Sequence, residues 1–229
     1  MGKIKKLRYT NRILNMFVVV FVVSAVAMIG TAAACHDWGD APDPTYPTLA
    51  ASNGARHGNS PAGYYLGDSV DWESNGQPNS TATGDDAGND DEDGVTFVGS
   101  LTAGNPVTGQ VTASKSGFLN AWIDFNADGD WADTGEQIFT DVQLAPGLNE
   151  LTFDVPSDAT TGTTFARFRF CSGENMCSFY GGNAVSGEVE DYMVNIENTE
   201  IPEFSSIAIP VAGILGLMFF FNYRKRRRD

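Results

Sequence analysis

Residues 121–141 read AWIDFNADGDWADTGEQIFTD, which places an acidic loop between two apolar stretches. The loop starts like the calcium loop of an EF-hand, because oxygen-bearing side chains at positions 124, 126 and 128 are followed by Gly129. The EF-hand pattern then fails, since its twelfth position is Gly135 and the acid, Glu136, comes one residue later. An EF-hand also needs flanking helices, whereas AWIDF and QIFTD have the composition of strands. The stretch is therefore predicted to be a strand–loop–strand hairpin.

The same loop is a candidate metal site. Its oxygen-bearing side chains are Asp124, Asn126, Asp128, Asp130 and either Asp133 or Glu136. No His or Cys lies nearby, which disfavours zinc and copper. Calcium prefers oxygen ligands and is abundant outside cells, so we expect a calcium ion here, with a solvated acidic turn as the alternative.

From residue 94 onward the sequence alternates short apolar stretches with turns, which predicts β-strands. Seven candidates can be read: GVTFVG (94–99), PVTGQVTA (106–113), GFLNAWIDFN (117–126), EQIFTDVQL (136–144), NELTFDVP (149–156), TTFARFRFCS (163–172) and EVEDYMVNIE (188–197). No amphipathic helix of useful length interrupts them. We therefore expect an all-β chain, with an antiparallel β-sandwich of about seven or more strands over residues 94–198.

Both ends of the chain carry apolar segments. Basic residues, an apolar core (16–30) and the small residues Ala32-Ala33-Ala34 predict a signal peptide over 1–34, with a retained signal-anchor helix as the alternative. Residues 204–223 carry no charge and are followed by RKRRR. Twenty helical residues at ~1.5 Å each span the ~30 Å hydrocarbon layer, so a transmembrane helix with residues 35–203 outside is predicted.

The charge is distributed unevenly along the chain. Residues 35–199 hold only four of the 14 Lys and Arg but 26 of the 29 acids, a net charge of −22. Such a surface repels nucleic acid and anionic lipid, and it attracts divalent cations.

Residues 35–93 are rich in Asp, Gly, Asn, Ser and Pro and lack apolar periodicity. They nevertheless contain aromatic residues such as Trp38, Tyr46 and Trp72, so we expect an irregular acidic segment packed on the sandwich. Asn79 heads the sequon Asn-Ser-Thr and is a candidate glycosylation site. Residues 199–229 would form the linker, the helix and a basic tail.

The cysteines and the remaining acidic runs suggest structural roles. Cys171 and Cys177, six residues apart in an exported domain, predict a disulfide, whereas Cys35 could carry a lipid or remain a free or intermolecular thiol. The run DDEDGVTF (90–97) has the composition of a solvated turn. Acids in GEVEDY (187–192) lie within a strand pattern and need partners. We expect ion pairs that fix the strand register, formed by Arg167 or Arg169 with Glu188 or Glu190.

The inventory of catalytic groups is small. His36 and His57 are the only histidines, and neither an H-E-x-x-H nor a G-x-S-x-G motif occurs. Gly67-Asp68-Ser69 resembles the nucleophile stretch of GDS-type esterases, but no histidine follows it in the later chain. We therefore expect a protein without enzymatic activity.

Two resemblances add to this interpretation. The chain resembles the GEVED domain from about Asp37 to Glu197, through the motifs DWGDAPD (37–43), GARH (54–57), YLGD (65–68), DDEDGVTF (90–97), WIDFNADGDWADTGEQIF (122–139), ARFRF (166–170) and GEVEDY (187–192). This resemblance implies a β-sandwich module of secreted and surface proteins, without established catalytic residues. The tail, with Pro202, Glu203 and Phe204 before the apolar run, resembles the PEF-CTERM sorting signal of archaeal surface proteins. That resemblance implies processing by an archaeosortase-type enzyme and attachment of the product to a lipid.

Together these features predict a calcium-stabilised structural or adhesive module, held at an archaeal cell surface by a membrane anchor. The alternative is a calcium-dependent carbohydrate-binding protein, in which the metal or exposed Trp38, Trp72 and Trp131 contact an envelope polysaccharide. An enzyme acting on polysaccharide is the less favoured hypothesis.

Overall fold

The computed structural model describes residues 36–58, 61–84, 91–199 and 205–227. The predicted signal peptide, Cys35 and the motif Pro202-Glu203-Phe204 lie outside these residues. The described strands are β1 (Asp37–Trp38), β2 (Arg56–His57), β3 (Val95–Val98), β4 (Leu101–Thr102), β5 (Pro106–Ala113), β6 (Gly117–Ile123), β7 (Gln137–Leu144), β8 (Gly147–Asp154), β9 (Gly162–Cys171), β10 (Asn183–Ala184) and β11 (Glu188–Glu197). A 3₁₀ turn covers Ala50–Ser52, and one α-helix, α1, covers Ser205–Arg226.

All seven strands predicted from the alternating pattern are present, as β3, β5 to β9 and β11. β5 shows the reason, because Val107, Gly109, Val111 and Ala113 are buried while the residues between them are not. The four unpredicted strands have two residues each, which is too short for a period to appear in the sequence.

The strands form three sheets. A five-stranded sheet has the order β4-β11-β9-β6-β7, and two three-stranded sheets have the orders β3-β5-β8 and β1-β2-β10. The first two enclose one apolar core, in which Phe153 contacts Phe139 and Phe97 contacts Phe168, with ring centroids 5.7 and 6.2 Å apart. The all-β prediction is confirmed. The purely antiparallel arrangement is corrected, because the short strands β4 and β10 pair in parallel with β11 and β2.

The hairpin around the acidic loop is also confirmed. β6 pairs with β7 antiparallel, and the amide of Ile123 donates a hydrogen bond to the carbonyl of Glu136 at 2.9 Å, which closes the loop. The register shifts between Leu119 and Ala121, as in a β-bulge. Strands therefore flank the loop, as its sequence predicts, and residues 124–136 extend from one end of the five-stranded sheet.

The pairing of β9 with β11 decides which charged side chains meet. Even-numbered residues of β9, such as Phe168, are opposite even-numbered residues of β11, so Arg167 is opposite Asp191 and Arg169 is opposite Val189. Phe168 belongs to the core between the sheets. Because side chains alternate between the two faces of a strand, both arginines extend from the other face of the sheet.

That other face is covered by irregular chain. Arg167 Nη1 donates to the carbonyls of Pro47 and Tyr180, at 2.6 and 2.9 Å. Arg169 Nη1 donates to the carbonyls of Phe179 and Gly181, at 2.5 and 2.7 Å. The N-terminal acidic segment and the connection between β9 and β11 are thus fixed to the sheet by two buried guanidinium groups.

Helix α1 lies where the apolar C-terminal run predicts a helix. Across the parts of the chain that the structure describes, no helix is both long and apolar enough to span a membrane, so the transmembrane assignment of residues 204–223 is not confirmed.

Candidate metal centre

Asp124 organises the acidic loop from its first position. Its side chain is fully buried. Oδ1 accepts a hydrogen bond from the amide of Ala127 at 2.6 Å, and Oδ2 accepts from the amide of Gly129 at 3.0 Å and from the hydroxyl of Tyr46 at 2.6 Å. Asp124 therefore folds the loop around itself and connects it to the N-terminal segment.

The turn requires glycine at position 129. Gly129 has a φ of 96°, a conformation that costs a side chain energy. A Cβ atom there would also overlap Cγ2 of Thr45. The Gly that resembles the sixth position of an EF-hand loop thus serves the same sharp turn here.

Three carboxylates converge on the outer side of the loop. One oxygen from each of Asp128, Asp130 and Asp133 lies within 4.8 Å of the others. The amide of Asn126 bridges two of them, because its Nδ2 donates to Asp133 Oδ2 at 2.6 Å and to Asp128 Oδ2 at 3.1 Å. Because Nδ2 of Asn126 holds the carboxylates of Asp128 and Asp133 close together, a cation would be most favourable at this position.

Glu136 closes the loop beside these acids and is 3% exposed. Its Oε2 accepts from the amide of Asp133 at 3.1 Å, while its Oε1 has no hydrogen-bond partner. Burial, followed by the negative charges of Asp124, Asp133 and Asp128, raises the pKa of Glu136 to about 7. Asp133 therefore connects the three converging carboxylates with Asn126 and Glu136, whereas both oxygens of Asp124 accept hydrogen bonds that fold the loop.

The expected ion pairs with Glu188 and Glu190 are wrong. Arg167 instead binds Asp191 in a bidentate pair, with Nε to Oδ1 at 2.7 Å and Nη2 to Oδ2 at 2.6 Å. Both side chains are fully buried. The register causes this result, because it places Asp191 opposite Arg167 on the same face and leaves Glu188 opposite Phe170.

The two glutamates of GEVEDY bind backbone amides instead. Glu188 Oε2 accepts from the amide of Leu66, and Glu190 Oε1 accepts from the amide of Gly94 at 2.9 Å. Burial raises the pKa of Glu190 to about 8. Glu188 thereby holds the N-terminal segment against the sandwich, and Glu190 fixes the start of the sandwich at Gly94.

Sequence reasoning missed Asp191, yet a signal for it existed. Apolar Phe168 and Phe170 share one face of β9, and Val194 and Ile196 share one face of β11. If these apolar faces align, the arginines at odd positions must meet odd positions of β11, where Asp191 is the only acid near the strand start. Tyr46 was also missed as a partner of the loop, and no sequence period indicates it.

The remaining predicted sites have clear positions. Cys171 and Cys177 are joined by a disulfide and are buried. Asn79 is partly buried, and its Oδ1 accepts from the amide of Thr81 at 2.8 Å, so glycosylation there stays a prediction. Two of the tryptophans proposed to be exposed are not, because Trp38 and Trp131 are 5% and 2% exposed.

His57 belongs to the N-terminal segment and is fully buried against the connection between β9 and β11. Its Nε2 accepts a hydrogen bond from Arg169 Nε at 2.9 Å, and its Nδ1 lies 3.0 Å from the carbonyl of Ser186. The ring must be neutral to accept from a guanidinium group, so Nδ1 carries the proton. Burial, and then the charges of Arg169, Arg167 and His36, lower the pKa of His57 well below its ordinary value.

This depressed pKa predicts that His57 contributes a loss of stability in mild acid. Below pH ~6.5 the unfolded histidine takes up a proton while the folded one does not, so the contribution of His57 to the free energy of unfolding falls as pH falls, by up to ~1.4 kcal/mol per pH unit. Buried acids with a raised pKa, such as Glu190, contribute in the opposite direction, so the comparison with a variant isolates the effect of His57. Urea denaturation of the wild type and of His57→Gln between pH ~6.5 and ~5 measures the difference. Equal slopes in the two proteins would show that His57 contributes nothing to the pH dependence.

Comparison with known proteins supports both resemblances. Residues 118–195 match the model of the GEVED domain, and residues 201–226 match the model of the PEF-CTERM archaeal protein sorting domain. The GEVED match covers β6, β7, β8, β9 and most of β11, together with the acidic loop. No curated protein and no solved structure matches the chain. The two matches agree with the families that the motifs indicate, although the GEVED match begins at residue 118 and not near Asp37.

Proposed function

We propose that this chain is a non-catalytic structural or adhesive module of the cell surface, whose sandwich is stabilised by calcium bound in the loop 124–136. The match to a protein sorting domain at 201–226 supports a place at the cell envelope. Anchoring through the C-terminal segment, after action of a sorting enzyme, is part of this proposal.

One observation carries the calcium proposal. Asp128, Asp130 and Asp133 converge within 4.8 Å, and the buried Glu136 beside them has an oxygen without a hydrogen-bond partner. No described Lys or Arg forms an ion pair with these acids. Carboxylates this close repel each other unless a cation lies between them.

The ligand chemistry selects calcium. Every candidate group offers oxygen, and the loop is largely exposed, so the site could supply carboxylates, the amide oxygen of Asn126 and water. Asn126 would turn its amide so that the oxygen faces the ion, because the two ends of an amide are similar in shape. Magnesium prefers a tighter octahedral shell and keeps more of its water.

The position of the loop favours a structural role for the ion. Through Asp124 the loop contacts Tyr46, and the ring of Tyr46 contacts Trp131 and Phe165 with centroids 4.5 and 5.1 Å apart. An ion bound in the loop would thereby stiffen the contact between the N-terminal segment and the sheet.

Calcium should raise the melting temperature of the full chain, purified in a mild detergent, by about 5–10 °C relative to the same protein in chelator. At about 100-fold excess over the dissociation constant, binding adds ~2.7 kcal/mol, and each kcal/mol is worth ~2–4 °C in a chain of this size. Scanning calorimetry provides the measurement.

The loop variant Asp128→Asn/Asp130→Asn should lose most of this increase, whereas Asp154→Asn, an exposed acid of β8, should keep it. An increase of equal size in the loop variant would show that the loop does not bind the ion.

Carbohydrate binding is a second proposal with weaker support. The buried positions of Trp38 and Trp131 remove two of its contacts, but Phe179 is 55% exposed and stacks on Tyr180 with centroids 4.3 Å apart. Flat exposed rings of this kind bind sugars through their faces. A glycan array probed with the calcium-loaded chain separates this proposal from a purely structural role.

A further inference from the structure

A second group of carboxylates lies away from the loop, where three separate segments meet. Asp37 belongs to β1, Asp71 to the segment 61–84, and Asp91 precedes β3. One oxygen from each lies within 4.8 Å of the others. In contrast to the loop, this group is shielded from water, because Asp37 and Asp91 are 1% and 3% exposed.

Backbone amides hold two of these side chains in place. Asp37 Oδ2 accepts from the amide of Val189 at 2.6 Å, and Asp91 Oδ2 accepts from the amide of Asp71 at 3.0 Å. The other oxygen of Asp37, Oδ1, is buried and has no hydrogen-bond partner. Such an oxygen costs free energy unless a ligand binds it.

A fourth acid next to Val189 shows the same arrangement. Glu188 is fully buried, its Oε2 accepts from the amide of Leu66, and its Oε1 has no hydrogen-bond partner. Neither Asp37 nor Glu188 forms an ion pair with any cation in the described part of the chain. Two buried acids therefore each present a free oxygen in one region.

Electrostatics agree with this geometry. Burial and the charge of Asp91 raise the pKa of Asp37 well above its ordinary value, and Glu73 and Asp71 add to the effect. Burial, and then Glu190 and Asp37, raise the pKa of Glu188 in the same direction. Carboxyl groups this close together in a low dielectric resist ionisation, and a cation bound among them would offset that cost.

We propose that Asp37, Asp71, Asp91 and Glu188 form a second divalent-cation site, buried between the N-terminal segment and the sandwich, and that its ion is calcium. All four donors are carboxylates, which excludes the softer metals. The site lies largely out of contact with water, so an ion that must keep several waters, such as magnesium, fits less well than calcium.

An ion at this site would attach to the sheet a part of the chain that has little secondary structure of its own. Between residues 36 and 94 the described part contains only β1, β2 and one 3₁₀ turn. Asp37 and Asp71 come from this part, and Glu188 comes from β11 of the five-stranded sheet. A cation shared among them would cross-link the irregular segment to the sheet, independently of the loop 124–136.

Calcium titration of the full chain by isothermal calorimetry, after chelator treatment in a mild detergent, tests the site. The wild type should bind two calcium ions. Asp71→Asn should weaken one of the two affinities at least tenfold and leave the other unchanged. Asp71 suits this test because it is only half-buried and its side chain is therefore less essential for folding than that of Asp37 or Glu188.

The loop variant Asp128→Asn/Asp130→Asn makes the two proposals separable. If it still binds one ion, and adding Asp71→Asn abolishes that binding, the buried site is supported. If the wild type binds a single ion, and only the loop variant loses this binding, the buried site is overturned while the loop proposal stands. A single ion lost only in Asp71→Asn would overturn the loop proposal instead.

A double change provides a second measurement. In Asp37→Asn/Asp91→Asn the repulsion between buried charges is removed without a change of shape, so its melting temperature in chelator should equal or exceed that of the wild type. Its response to calcium should be smaller than the wild-type response. A full wild-type response in this folded variant would overturn the buried site.

Discussion

Replacing Arg167 by Met is expected to lower the free energy of unfolding by about 3–5 kcal/mol, because it leaves Asp191 charged and buried without its partner. The side chain of Arg167 is fully buried between the five-stranded sheet and the irregular chain that covers this face of the sheet. Its loss also removes the donors for the carbonyls of Pro47 and Tyr180 and for the hydroxyl of Thr48. Methionine fills a similar volume, so the effect reports charge and hydrogen bonds more than a cavity. Urea denaturation of the full chain measures it.

Two further variants interpret this result. Lys115→Met removes an exposed cation and should cost less than about 1 kcal/mol. Arg167→Met/Asp191→Leu removes both charges and should recover part of the loss, although the amides of Asp40 and Ala41 then lose their acceptor. If the free energy of unfolding of Arg167→Met lies within 1 kcal/mol of the wild-type value, the buried pair does not hold the N-terminal segment to the sheet.

Replacing Asp124 by Ala is expected to cost about 3 kcal/mol even in chelator. The change removes a charged acceptor from two backbone amides and from the hydroxyl of Tyr46, and hydrogen bonds to charged groups are worth ~1.5–3 kcal/mol each without being additive. Chelator excludes any contribution from bound calcium. The free energy of unfolding in urea gives the size of the effect.

The matched control is Asp154→Ala, which removes an exposed acid from β8 and should change stability by less than about 0.5 kcal/mol. Asp124→Ala should also weaken calcium binding, because the loop loses the contacts that shape it. A variant that keeps wild-type stability in chelator would mean that Asp124 serves only as a ligand.

The sandwich strands were predictable because each has enough residues to show a period. The alternation of β5 and of the second half of β11 follows from one buried face, and the hairpin around the loop follows from apolar flanks and the glycine at 129. The strands β1, β2, β4 and β10 have two residues each and were not predictable. Their pairing depends on tertiary contacts, such as Trp38 opposite Arg56.

The candidate site residues were likewise predictable only in part. The candidate ligands of the loop are close in sequence, so the spacing of Asp128, Asp130 and Asp133 indicated them directly. The partner of Arg167 required the strand register, which the apolar residues specify but simple proximity in the motif does not. No local pattern could bring Asp37, Asp71 and Asp91 together, and the run at 90–97 was interpreted as a solvated turn although Asp91 is 3% exposed.

Anomalous diffraction from crystals of the full chain grown with calcium would locate each bound ion without a functional assay. We expect one anomalous peak among Asp128, Asp130 and Asp133 near Glu136, and a second among Asp37, Asp71 and Asp91 near Glu188. Crystals at millimolar calcium with no peak at the loop would contradict a calcium-stabilised surface module.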